Sequence, residues 1–284
     1  MFALWNNLKT TLLMAGLMGL CMLVAYALGG PQFLVYGLVL GGVMNLVAFF
    51  FSDRIALMTM RATQIRREDD PEVWDTVQHL ADKAGLPMPR VYISPAAAPN
   101  AFATGRNPRH SAVCVTAGLR QILNRLELQG VIAHELAHIK HRDILISTVA
   151  AIVAGAITYV AQMALFFGGG HGNDRDRRSN PLVMLLLLVL APIAAALIQM
   201  AISRSREYEA DRLGADTAGT GRGLSQALAK LDATSRRIPL PVPDSQSNMF
   251  IVAPLTGSGM MKLFMTHPPV RERIARLQAM EQGL

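Results

Sequence analysis

The sequence predicts a mostly helical membrane protein that also contains a small β-sheet. Charged residues make up 17% of the 284 residues, against roughly 25% in ordinary soluble proteins. No charged residue occurs in residues 10–52, 144–173 or 179–203. Uncharged stretches of this length are typical of segments that cross a bilayer, because each crossing helix needs about 20 apolar residues.

Four transmembrane helices fit into these stretches. The first stretch holds two helices separated by a Gly-Gly-Pro turn, and each of the others holds one. The predicted spans are residues 11–28, 32–51, 144–167 and 181–202. Lys9, the apolar run after it and Ala25-Tyr26-Ala27 also resemble a cleavable signal peptide. A second apolar run directly after the turn favours a helical hairpin instead.

The spans divide the chain into two hairpins and two polar regions. The parts are an N-terminal transmembrane hairpin at 1–51, a first polar region at 52–143, a second hairpin at 144–202 and a second polar region at 203–284. Both polar regions must lie on the same side of the membrane, where they can build one domain. Lysine and arginine are concentrated on that side, which is typical of the cytoplasmic face. The opposite side also carries basic residues, which weakens this assignment. They are Arg175, Arg177 and Arg178, partly offset by Asp174 and Asp176.

The net charge and the cysteines exclude some alternatives. The net charge is +7, but the basic residues flank the predicted spans, which favours anionic lipid headgroups over nucleic acid as their counterpart. Cys21 lies in a predicted span and Cys114 in a predicted strand. No disulfide is therefore expected, in agreement with a reducing compartment.

Periodicity and turn residues predict the elements of the polar regions. Helices are expected at residues 71–84, 117–123, 126–141 and 270–282, and strands at 90–94, 100–104 and 111–116. Pro71 near the start and Gly85 just past the end support the first of these helices.

His134, Glu135 and His138 form a His-Glu-x-x-His motif on the predicted helix 126–141. Residues four apart share a helical face, so the two imidazoles can bind one metal ion. In hydrolytic zinc sites the adjacent carboxylate accepts a proton from a water molecule whose pKa the ion lowers to about 7. The flanking residues are apolar, which indicates a buried helix rather than a chance match on a surface, and buried polar groups need partners. The motif therefore predicts a metal-dependent hydrolase with Glu135 as general base.

A catalytic zinc ion needs a third protein ligand and an open position for water. The segment Arg206-Glu207-Tyr208-Glu209-Ala210-Asp211 follows the fourth span and returns to the same membrane face. Glu207 and Asp211 are four residues apart, so one carboxylate can bind the metal while the other lies behind a ligand. The subtype with a third histidine is excluded, because Ile144 stands where that subtype has its third histidine. The sequence favours a zincin-like domain with a glutamate as third ligand.

Several motifs together resemble one family. They are the apolar N-terminal hairpin, Asn100-Ala101-Phe102-Ala103-Thr104-Gly105, His134-Glu135-Leu136-Ala137-His138, Glu207-Tyr208-Glu209-Ala210-Asp211 and Thr266-His267-Pro268-Pro269 before Arg273. With them, nearly the whole chain resembles the HtpX-type membrane zinc metalloproteases, which are heat-shock-associated. The resemblance to the CAAX prenyl endopeptidases is more distant.

The resemblance implies one Zn²⁺ per chain, bound by His134, His138 and Glu207, with Glu135 as general base and Asp211 behind a ligand. His267 and Arg273 are implied to stabilise the transition state or to brace the site, although the start of a helix explains that segment nearly as well. The residues implied to pair with an extended substrate as an added strand are Asn100, Ala101, Phe102, Ala103 and Thr104.

The resemblance also implies a protease of the bacterial inner membrane that acts in protein quality control and the stress response. Ile144 begins the third span six residues after His138, so a continuous helix would place the metal about 9 Å from the apolar run. We therefore expect substrates that are misfolded or damaged membrane proteins, with lipid as the other partner.

Two other function classes are alternatives to the protease. A non-catalytic membrane scaffold with a structural zinc ion would need four protein ligands and no bound water. A transporter is disfavoured, because the predicted spans contain almost no charge of the kind that marks an ion or substrate path.

Overall fold

The computed structural model describes residues 2–150, 204–235 and 268–282. The helices are α1 (Phe2–Gly29), α2 (Leu34–Thr59), α3 (Pro71–Ala84), α4 (Ala117–Ile122), α5 (Arg125–His141), α6 (Arg204–Ala218), α7 (Arg222–Ser235) and α8 (Val270–Glu281). A 3-10 turn, Pro31–Phe33, joins α1 to α2, and residues 144–150 are also helical. The strands are β1 (Thr63–Gln64), β2 (Arg90–Ser94), β3 (Ala101–Asn107) and β4 (His110–Thr116). The predicted mostly helical protein with a small sheet is confirmed.

The four strands form one mixed sheet in the order β1-β2-β4-β3. β2 and β4 are parallel, whereas β3 pairs with β4 in the antiparallel direction. One face of β4 contributes Val113 and Val115 to the main core, and the other packs Cys114 against Leu57 near the end of α2. β4 is covered on both faces, which explains its nearly continuous apolar sequence. β3 lies at one edge of this sheet.

The ends of α3 and α5 follow from capping residues. The side chain of Asp70 accepts a hydrogen bond from the Val73 N–H, and Gly85 ends α3 in the left-handed region with φ 68°. Asn124 and Glu127 form a reciprocal capping box at the start of α5. The observed bounds of α3 match the predicted helix 71–84.

Helix α5 is the centre of the domain that the polar regions build. It packs against α3, α6, α7 and β3, so it is buried on nearly all sides and its apolar positions show no single stripe. At Gly130 a Cβ atom would lie 2.3 Å from the backbone nitrogen of Leu224, so only glycine permits the close approach of α7. The helix that carries the motif is therefore held firmly on several faces.

Helices α1 and α2 form a closely packed hairpin. Gly37 and Gly41 lie one turn apart on α2, and a Cβ at Gly37 would lie 2.8 Å from the backbone of α1 at Cys21 and Met22. Small residues at this spacing allow close helix packing in membranes. Among the described residues, one helix, Pro31–Thr59, is long and apolar enough to cross a membrane, and a shorter apolar helix covers Asn7–Leu23.

The structure describes only some of the predicted spans. The span 32–51 falls within a longer helix, because α2 continues to Thr59. The spans 144–167 and 181–202 lie outside the described residues, apart from 144–150. Helix α5 ends where the sequence predicts, so the distance of about 9 Å, which holds for a continuous helix from His138 into the third span, does not apply. It ends at His141, and Arg142 turns the chain in the left-handed region with φ 57°.

Candidate metal centre

The motif on α5 and the first turns of α6 converge on one point. The Nε2 atoms of His134 and His138 lie 3.1 Å apart. The two carboxylate oxygens of Glu207 each lie 3.7 Å from one of these nitrogens. Three potential ligand atoms, two nitrogens and one oxygen, thus lie within 4.8 Å of one another.

A glycine sets the approach of α6 to α5. A Cβ at Gly214 would lie 3.0 Å from the backbone nitrogen and Cα of His134. A side chain at this position would require neighbouring atoms to shift, so the two helices approach each other closely at the position of a candidate ligand. Asp211 and Glu207 lie about one and two turns before Gly214 on α6, which brings both carboxylates to the imidazoles.

The arrangement fits a tetrahedral metal ion. Zinc bonds to imidazole nitrogen and carboxylate oxygen are about 2.0–2.2 Å long, so the ligand atoms around the ion lie about 3.3–3.5 Å apart. The observed separations of 3.1 and 3.7 Å bracket this spacing. Two imidazoles and a carboxylate are also a donor set that suits zinc.

Electrostatics favour positive charge at the centre. Burial alone would lower the pKa of His138, but the carboxylates of Asp143, Glu207 and Glu135 raise it to about 10. Arg206 is 7% exposed, and burial lowers its pKa, while Asp143 and Glu207 oppose that change. A divalent cation would satisfy the same carboxylates and would displace the proton from His138.

Asp211 and Arg273 lie behind His134. The Nδ1 atom of His134 lies 3.0 Å from Oδ1 of Asp211. The guanidinium of Arg273, which is 0% exposed, donates two hydrogen bonds to the Asp211 carboxylate, at 2.7 and 2.8 Å. Burial alone would raise the pKa of Asp211, but Arg273 and the hydrogen bond from His134 lower it to about 2. Arg273 therefore keeps a negative charge at the back of His134.

Arg273 also borders the centre itself. Its Nη2 atom lies 3.3 Å from Nε2 of His134, and its Nη1 atom lies 3.7 Å from Oε2 of Glu207. Because its strongest contacts are the paired bonds to Asp211, the geometry favours bracing over direct stabilisation of a transition state. His267, the other residue implied for this role, lies outside the described residues.

Asp143 is a site residue that the sequence reasoning missed. Its Oδ2 atom lies 3.1 Å from Nδ1 of His138, and its side chain is nearly inaccessible to solvent. The only signal in the sequence is an acidic residue five positions after His138, directly before an apolar run. That signal becomes informative only when the turn at Arg142 is known.

Glu135 points towards the sheet edge. Its Oε2 atom accepts a hydrogen bond of 2.7 Å from the backbone N–H of Ala103 on β3. Burial raises the pKa of Glu135 to about 7, although the His138 charge and the Ala103 hydrogen bond act in the opposite direction. A carboxylate with a pKa near neutrality suits general-base catalysis near pH 7.

The segment implied to bind substrate is an edge strand next to Glu135. β3 begins at Ala101 and extends to Asn107, further than the predicted 100–104. Asn100 precedes the strand and is hydrogen-bonded to Thr116 through its backbone N–H and C=O. By alternation, Ala101, Ala103 and Gly105 direct their backbone groups away from β4.

Replacing Arg273 tests whether this residue braces Asp211 behind His134. Replacing it by Met leaves the Asp211 carboxylate buried without its partner, so we expect a loss of about 3–5 kcal/mol in the free energy of unfolding. The measurement is thermal unfolding of the zinc-free protein, with Arg276→Met, which changes an exposed arginine one turn later, as control. Adding Asp211→Asn should recover part of the loss. Equal unfolding temperatures for Arg273→Met and Arg276→Met would contradict the bracing role.

Comparison with known families decides the class of this site. The family described as Peptidase family M48 matches residues 67–281, a range that includes the helix of the motif, Glu207 and Arg273. The chain belongs to peptidase family M48. As a member, it is a metalloprotease, which confirms the enzyme class that the motif predicts.

Relatives in this family match along the whole chain. A "Protease HtpX homolog" of Pelotomaculum thermopropionicum is 50% identical over 278 residues, covering 97% of this chain and 99% of the relative. A "Protease HtpX homolog" of Thermodesulfovibrio yellowstonii is 51% identical over 278 residues, covering 97% and 98%. The resemblance to HtpX-type membrane zinc metalloproteases is thereby confirmed.

One solved structure shares the fold of this M48 peptidase. The crystal structure of S. mikatae Ste24p matches with a TM-score of 0.52 and 20% sequence identity. The match covers 97% of this chain and 66% of the Ste24p chain, slightly less than two thirds. At this identity the similarity concerns the fold alone.

Proposed function

We propose that this M48 peptidase is a multi-pass protease of the bacterial inner membrane that binds one Zn²⁺ per chain. It cleaves misfolded or damaged membrane proteins from the cytoplasmic side. This cleavage is part of protein quality control under stress. The observation that carries the proposal is the convergence of His134, His138 and Glu207 within 4.8 Å, directly beside Glu135. His134, His138 and Glu207 are the proposed zinc ligands.

Glu135 is the proposed general base. A bound zinc ion would polarise the scissile carbonyl and acidify the attacking water. Oε2 of Glu135 is held by the Ala103 N–H, so Oε1 is the oxygen that accepts the proton from that water. The same carboxyl group can then donate the proton to the leaving nitrogen. Its burial excludes competing solvent from this transfer.

Strand β3 is the proposed docking edge for the substrate backbone. An extended peptide can add to the edge of a sheet through main-chain hydrogen bonds, and of the three outward residues of β3 Ala103 is the one that is partly exposed. Ala101 and Gly105 flank Ala103 on the outward side of β3, and Ala103 contacts the general base through its N–H. A peptide paired along this edge would therefore place its backbone next to Glu135 and the three ligands.

This edge contacts α2 and the helix at residues 144–150, both of which are proposed to enter the membrane. The hydroxyls of Thr104 on β3 and Thr148 lie 3.3 Å apart. The guanidinium of Arg106, further along β3, lies 5.5 Å from the ring centre of Phe50 on α2. The outer face of α2 is apolar and exposed, with Val35, Tyr36 and Val39 each more than 60% accessible. A lipid-facing α2 therefore supports cleavage close to the bilayer.

The exposure of the ligands favours catalysis over a structural zinc site. The His134 side chain is 1% exposed, whereas those of His138 and Glu207 are 16% and 10% exposed. Within the described part of the chain, the cluster offers three ligands, and His138 is the most exposed of them. A structural site would be closed by a fourth protein ligand.

A tethered reporter tests the proposed substrate class. The full chain is purified, reconstituted in lipid vesicles and given one unfolded reporter in two forms, soluble or anchored in the same vesicles. At micromolar substrate we expect cleavage of the anchored form to be at least about tenfold faster, because tethering raises its effective concentration to the millimolar range. A chelator should stop both reactions, and added zinc should restore them. Equal rates for the two forms would contradict the membrane preference, and chelator-resistant cleavage would contradict the zinc mechanism.

A further inference from the structure

We infer that Asp143 is a positioning residue that orients the proposed zinc ligand His138 and connects this ligand to the helix at residues 144–150. The inference rests on the proposed zinc site. It assigns a role to a residue that takes no part in the proton transfer and that the motif itself does not include.

The first step is the geometry of the imidazole. Nε2 of His138 faces His134 and Glu207, and Nδ1 lies 3.1 Å from Oδ2 of Asp143. If Nε2 binds an ion, Nδ1 carries the proton and donates it to this carboxylate. Such a hydrogen bond fixes the tautomer and the rotation of the ring and makes the ligating nitrogen more basic.

The second step is the symmetry of the two histidines. A carboxylate also lies behind His134, since its Nδ1 is 3.0 Å from Oδ1 of Asp211, which is itself held by Arg273. Asp143 is equally buried, at 3% exposure, and Arg206 acts electrostatically on both Asp143 and Glu207. Each imidazole therefore has one carboxylate behind it, supplied by a different part of the chain.

The third step is the position of Asp143 in the fold. The left-handed residue Arg142 ends α5, and the Asp143 N–H donates to the carbonyl oxygen of His138 at 3.3 Å. The next residue, Ile144, packs in the main core, whereas Leu145 and Ile146 pack with the α1–α2 hairpin. Asp143 thus lies at the junction of the two cores, and both fix the carboxylate behind His138.

A purely structural role for Asp143 makes a different prediction. Its backbone carbonyl accepts a hydrogen bond from Ser147, so Asp143 also begins the helix at 144–150. If starting that helix were its only role, a substitution would lower stability and leave the affinity of a folded protein for zinc unchanged. A positioning role instead lowers zinc affinity in a protein that remains folded without metal.

The experiment uses the purified full chain in lipid nanodiscs with two substitutions at one position. Asp143→Asn keeps the size of the side chain and removes its charge, and Asp143→Ala removes the whole carboxylate and leaves Nδ1 of His138 without this partner. The control is Asp82→Asn, which neutralises an exposed aspartate on α3. Zinc affinity is measured by competition with a chromophoric chelator, the absorption spectrum is recorded with Co²⁺ in place of zinc, and the zinc-free protein is unfolded thermally.

We expect zinc affinity to fall by about 10- to 100-fold in Asp143→Ala, and by less in Asp143→Asn, whose amide oxygen can still accept from Nδ1. The Co²⁺ spectrum should change in both variants, while the unfolding temperature of zinc-free Asp143→Asn stays near that of the wild type. Affinity within twofold of the wild type in both variants would overturn the inference. So would a loss of affinity in Asp143→Asn that only follows a loss of folded protein. A wild-type chain that binds no zinc would overturn the proposed function itself.

Discussion

Replacing Glu135 by Gln is expected to abolish peptide cleavage while zinc remains bound. The Gln side chain has nearly the same shape and can still accept the hydrogen bond from Ala103 with its amide oxygen. It cannot accept a proton from the attacking water, and general-base catalysis typically contributes about 10²–10⁴-fold to the rate. The measurements are the initial rate on the anchored reporter and the zinc content of the same preparation.

The matched control for this prediction is Glu68→Gln, which changes an exposed glutamate outside the site. It should cleave at the wild-type rate. Full activity of Glu135→Gln in protein free of other proteases would contradict the role of Glu135. Loss of zinc together with activity would show that Glu135 acts on the metal site rather than on the proton.

Replacing Glu207 by Ala is expected to remove both zinc and activity. Glu207 is the only proposed ligand on α6, and its oxygens lie 3.7 Å from the two imidazole nitrogens on α5. Without it, only the two histidines bind the ion, and the site lacks the negative charge of Glu207 that favours a cation. Elemental analysis should therefore find far less zinc per chain than in the wild type.

Glu209→Ala provides the control for this variant on the same helix. Glu209 pairs with Arg212 on a more exposed side of α6 and takes no part in the cluster. We expect Glu209→Ala to retain the zinc content of the wild type. An unchanged zinc content in Glu207→Ala would mean that another residue is the third ligand, and the proposed site would have to be reassigned.

The sequence predicts best where local chemistry decides the structure. Pro71 and Gly85 mark the two ends of α3, and its bounds were predicted to the residue because both signals lie within a few positions of the helix. Strand β2 was likewise predicted at Arg90–Ser94. The metal motif is local too, since its two histidines share a helical face whatever the tertiary fold.

The sequence predicts less well where distant parts of the chain meet. Asp143 reaches His138 only because Arg142 adopts the left-handed conformation, which is uncommon for a non-glycine residue and leaves no clear pattern. The bond from Ala103 to Glu135 joins residues 32 positions apart, and that from Arg273 to Asp211 joins residues 62 apart. The family resemblance pointed to Arg273, but its contact with Asp211 is set by the packing of α8 against α6.

Anomalous X-ray diffraction at the zinc edge, from crystals of the full chain grown with zinc, tests the central claim most directly. The account predicts one anomalous peak per chain, about 2.0–2.2 Å from Nε2 of His134, Nε2 of His138 and a carboxylate oxygen of Glu207, with solvent in the fourth position. A peak elsewhere, a Glu207 turned away from it, or a fourth protein side chain in place of solvent would contradict the account.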